Sequence, residues 1–136
     1  MKPISSLTKR FLMVYSVLVV FAAVFLIPFC GWMYQCGCTF LWDGADRYCN
    51  IHHADAPHCP WCVAGEKPLP GALLGLAIFV LPAAPIYWFN KKHGFENWVL
   101  GVGKLLVIGF LSFLIAAIIS GFIFKMIYDY PYFFFK

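Results

Sequence analysis

Apolar positions along this chain neither alternate with polar ones, as in a half-buried strand, nor recur as a stripe on one helical face; they run on in blocks. Three blocks stand out, Phe11 to Phe29, Leu69 to Phe89 and Trp98 to Phe124. Each is near or above the roughly 20 residues that carry a helix across a hydrocarbon core of about 30 Å. A segment in lipid has to satisfy its backbone hydrogen bonds internally, so each block reads as a transmembrane helix. The predicted fold is all-α and integral to a membrane, a single domain with spans at 11–29, 69–89 and 98–124. A loop at 30–68 joins the first two spans, a short turn at 90–97 joins the last two, and an aromatic tail occupies 125–136.

Local residues refine these elements. Pro82 and Pro85 fall near the end of the second span and predict a kink, because proline removes an intrahelical donor and crowds the preceding turn. Tyr87, Trp88 and Phe89 precede Asn90, Lys91 and Lys92, an aromatic anchor at the interface followed by a polar turn. The shortness of that turn makes spans two and three an antiparallel hairpin. Gly71 with Gly75, and Ala116 with Ser120, are small-residue pairs four apart that permit close approach of helices. Pro131 interrupts the aromatic tail, which reads as a segment at the membrane interface.

Composition agrees with the blocks. The 136 residues are 62% hydrophobic and 12% charged, against roughly a quarter charged in an ordinary soluble domain. The first block also resembles a signal peptide in its basic leader, but Ile27, Pro28 and Phe29 are poor residues for a cleavage site, and a retained helix is expected. The net charge of +4 is explained by where the cations lie. Lys2, Lys9, Arg10, Lys91 and Lys92 fall on one side of the predicted topology, with Lys104 able to reach the same side. The long loop carries Arg47 and Lys67 against Asp43, Asp46, Asp55 and Glu66. The positive-inside rule then predicts a multi-pass protein of the inner (cell) membrane with its N-terminus cytoplasmic and its long loop periplasmic or extracellular. The charge calls for no nucleic-acid partner. The expected surroundings are the lipid bilayer and other membrane subunits.

No span has a histidine or carboxylate in its middle, which leaves no intramembrane haem ligand pair or proton relay. The candidate chemistry is in the loop, where residues 36 to 62 read CGCTFLWDGADRYCNIHHADAPHCPWC. Cys49 and His52 form one pair spaced by two residues, Cys59 and Cys62 another. Together they suit tetrahedral Cys3His coordination. CPWC resembles a knuckle of the zinc-ribbon or rubredoxin kind. Cys36 and Cys38 are a tighter pair around Gly37, for which an internal disulfide would be strained. The predicted metal ligands are therefore Cys36, Cys38, Cys49, His52, Cys59 and Cys62, with His53 and His58 as further donors or supporting partners. Thiolate and imidazole donors point to zinc or copper, and spacing does not separate the two. Six cysteines on an oxidising side of a membrane equally admit a stapled, metal-free loop.

Three functions share these residues. The first is an accessory subunit of a larger membrane enzyme complex, respiratory or metal-dependent, not catalytic by itself, whose loop is a metal-bound or disulfide-stapled cap. The second is a protein that handles and delivers copper or zinc on the outer face. The third is a membrane thiol-disulfide oxidoreductase, with CGC and CPWC as its redox pairs.

Overall fold

A computed structural model describes residues 5–37, 52, 55, 58–60, 68–93 and 97–135. These residues form four helices, α1 Ser6–Tyr34, α2 Pro68–Val80, α3 Ala83–His93 and α4 Trp98–Ile127, and among them there is no strand. Three stretches are long and apolar enough to cross a membrane: Ser6–Tyr34, Gly71–His93 and Trp98–Ile127. The protein is thus an all-helical membrane protein with three candidate spans. Each of the two long helices overruns its apolar block by several residues, because the hydrophobic pattern marks what lipid covers and not where a helix stops.

Capping accounts for the starts. The Ser5 hydroxyl accepts a hydrogen bond from Thr8 N, and Asn97 Oδ1 accepts from Val99 N and Leu100 N at the head of α4. Each satisfies a donor that a helix N-terminus leaves without an intrahelical partner. Pro28 lies inside α1 without ending it, as is common in membrane helices.

The predicted kink is present. The middle span breaks at Leu81 and Pro82 into α2 and α3, and Pro85 falls in the first turn of α3, where proline is tolerated. The break releases carbonyls that a continuous helix would engage. The Tyr15 hydroxyl of α1 donates to one of them, Phe79 O, so the kink is tied to the neighbouring helix.

α4 is the central helix. A third of its most apolar window is buried within the protein, against 17% for the kinked span and 11% for α1. Its buried face runs Gly101, Leu105, Gly109, Phe113, Ala116, Ala117, Ser120, Gly121 and Phe124, recurring every three or four residues. The predicted contact pair Ala116 and Ser120 lies on this face. Val14 and Leu18 of α1, Ile78 of α2 and Ile86 of α3 complete the mid-bundle core around Leu105 and Phe113. The remaining surface is rich in exposed leucine, isoleucine, valine and phenylalanine, as a lipid-facing wall has to be.

Candidate functional site

Both long helices end in the same way, and at the same place. At the end of α1, Gln35 adopts a left-handed conformation with φ of 54° and Cys36 N donates back to Gly31 O at 3.3 Å. At the end of α4, Asp129 is left-handed with φ of 49° and Tyr130 N donates to Lys125 O at 3.1 Å. These six-to-one bonds are the Schellman closure, which uses a carbonyl left over at the helix end and turns the following residue back onto the helix. Here the residues turned inward are Cys36 and Tyr130. Both are buried, at 2% and 3% exposure, in one cluster with Cys30, Met33, Tyr34, Cys59 and Phe124. Gly37, with φ of 76°, continues the turn that brings the chain off α1.

The cluster is rich in sulfur. Cys30 and Cys59 are exposed by only 5% and 1%, and the Met33 thioether is fully buried beside them. No disulfide joins Cys30, Cys36 and Cys59 to one another. Tyr34 anchors the cluster by donating its hydroxyl to Gly121 O at 2.6 Å. At Gly121 a β-carbon would meet Met33 Cε and Sδ, so the end of that side chain would have to move.

The C-terminal tail closes over this end. Phe134 N donates to Met33 O at 2.6 Å, and the Tyr130 hydroxyl donates to Tyr34 O at 3.0 Å. Ring contacts follow the same path, with Tyr34 and Tyr130 centroids 5.5 Å apart and Trp32 and Phe134 centroids 5.0 Å apart. The tail, predicted from its composition to lie at the interface, folds back as a lid on the end of α1.

Of the predicted ligands, Cys36 and Cys59 come together in the buried cluster. His52 is exposed and His58 half-buried. Cys38, Cys49, His53 and Cys62 lie outside the described residues. Among the described residues no three histidine, cysteine or acidic side chains are arranged to hold a metal ion. The sequence reading left Cys30 out of the site, and with it Met33, Tyr34 and Tyr130. The spacing of Cys30, Met33 and Tyr34, one helical turn apart on a single face, is the signal that could have included them.

A concavity of about 320 Å³ lies between α1, α2 and α4 and is lined by residues such as Leu18, Phe25, Phe29, Ile78, Phe113 and Ala117. Its lining residues are all hydrophobic or proline. It therefore offers no convergent polar group of the kind that orients a substrate. Comparison with known proteins leaves this geometry to stand by itself: no family matches the chain, and neither a curated protein nor a solved structure is similar to it.

Proposed function

We propose that this protein is a small, non-catalytic accessory subunit of a larger membrane complex, and that its cysteine-bearing loop is a structural cap folded onto one end of the bundle. The observation that carries the reading is the burial of Cys59, from the loop, in one cluster with Cys30 and Cys36 beneath the C-terminal tail. A delivery protein needs ligands that a recipient can reach. A thiol oxidoreductase needs an accessible thiolate in an electropositive setting. Buried thiols packed among aromatic rings suit neither role, whereas they suit a site that holds its own fold together.

In this reading the cap is completed by one zinc or copper(I) ion drawn from the predicted ligand set, to which Cys36 and Cys59 contribute from the buried side. Its removal by a chelator is expected to loosen the loop and the tail while leaving the three spans helical. The subunit reading is supported by the shallow burial of α1 and of the kinked span, whose outward faces are available to other helices. Two experiments test the pair of claims. Native electrophoresis of the protein extracted from its own membrane in mild detergent should find it in an assembly far larger than its own 15.4 kDa; migration as a monomer contradicts the subunit assignment. Elemental analysis of the same preparation should find one zinc or copper per chain, and a metal-free protein contradicts the ion.

A further inference from the structure

The end of the bundle opposite the cysteines is as strongly basic as the other is rich in sulfur. Lys9 and Arg10 sit in the first turns of α1, and Lys91 and Lys92 in the last turn of α3. The two elements are held side by side by Asn90, fully buried, whose Nδ2 donates to Leu7 O at 2.9 Å. Arg10 is 9% exposed, and its guanidinium carbon lies 4.8 Å from the ring centroid of Trp98 at the head of α4. Lys92 Nζ lies 4.7 Å over the Trp88 ring. Three helix ends thus gather here, with Arg10 and Lys92 each against an aromatic ring and Lys9 and Lys91 exposed beside them. Asp129 lies at the opposite end, just past α4, and the sequence places one carboxylate, Glu96, in the turn adjoining the basic end.

We propose that this end is a specific site for the phosphate of an anionic phospholipid, taken by Lys91, Lys92 and Lys9 in the field of the buried Arg10. Charge complementarity calls for an anion. The position of the cations at the ends of membrane-spanning helices, beside Trp88 and Trp98, puts them at headgroup depth and makes that anion a lipid and not a solute. The Asn90 bond and the Arg10–Trp98 contact fix the helix ends that carry these cations before a lipid arrives, which lowers the entropy lost on binding. A loose polybasic segment lacks that advantage, so retention should depend on position and not on net charge alone.

The test is native mass spectrometry of the full chain released from micelles containing equal amounts of phosphatidylglycerol and phosphatidylcholine. Preferential retention of phosphatidylglycerol is expected. The double variant K91Q/K92Q changes exposed side chains only and should fold normally. It should weaken that retention by roughly fivefold per charge, as expected for about 1 kcal/mol per cation near an anionic surface. K125Q, which removes one cation at the sulfur end, should leave retention unchanged. Equal retention of the two lipids overturns the proposal, as does K91Q/K92Q behaving like the parent. An equal loss in K125Q overturns the positional claim by reducing the effect to net charge.

Discussion

At Gly109 and Gly121 of α4 an added methyl group would meet side chains of the neighbouring helices. A β-carbon at Gly109 would collide with Leu18 Cδ1 of α1 and press on Ile86 of α3, and one at Gly121 would collide with Met33, whereas Gly103 has nothing within 4 Å. G109A is expected to lower stability by about 1–3 kcal/mol, the usual cost of overpacking, and G121A by less, because the Met33 end it meets is flexible. G103A should be neutral or stabilising by up to about 1 kcal/mol through helix propensity. Thermal unfolding of the three variants in one detergent checks the ranking, and equal effects at all three would contradict the contacts. Y34F tests the bond to Gly121 O separately. It removes a hydroxyl but keeps the ring, so a loss of about 0.5–1.5 kcal/mol is expected, without the overpacking of G121A.

At the scale of the elements, the kink between α2 and α3 connects sequence to packing. Pro82 has no N–H to give to Ile78 O, and at the resulting break Tyr15 of α1 donates to Phe79 O, whose donor in a continuous helix would be Ala83 N. Y15F should therefore cost about 1 kcal/mol in the parent and much less in a P82A background, where a continuous helix uses that carbonyl itself. A double-mutant cycle on thermal unfolding measures the difference; equal losses in both backgrounds would separate Tyr15 from the kink. This element also shows what a sequence reveals. Proline acts on its own turn, so the break at Leu81 and Pro82 was legible, and an apolar run of about 20 residues is long enough to name a span. For Cys30 the sequence carried only its helical spacing with Met33 and Tyr34, because Cys59, which joins it in the buried cluster, lies on the far side of the loop. Gly109 likewise gains its role from Leu18 and Ile86, which are distant in sequence and meet it only after the helices assemble. Of the predicted ligand set, Cys36 and Cys59 are brought together, and the reason Cys36 turns inward, a helix closure that makes Gln35 left-handed, is a conformational detail that spacing alone does not carry.

At the scale of the whole molecule, the bundle has two unlike ends, one basic, the other sulfur-rich and covered by its own tail. The cover makes a claim about access. Deleting residues 128–136 should remove the Phe134 bond to Met33 O and the Tyr130 bond to Tyr34 O together, and so expose the cysteines of the cluster while leaving the spans intact. The most direct measurement of the structural-cap reading is maleimide labelling of the folded protein in native-like membranes, with peptide mapping of Cys30, Cys36 and Cys59, repeated after denaturation with a chelator present. Protection of all three in the folded state, full labelling after denaturation and fast labelling in the tail-deleted chain are the predicted results. Rapid labelling of Cys36 or Cys59 in the folded, full-length protein would contradict a buried cap and return the site to a carrier or redox role.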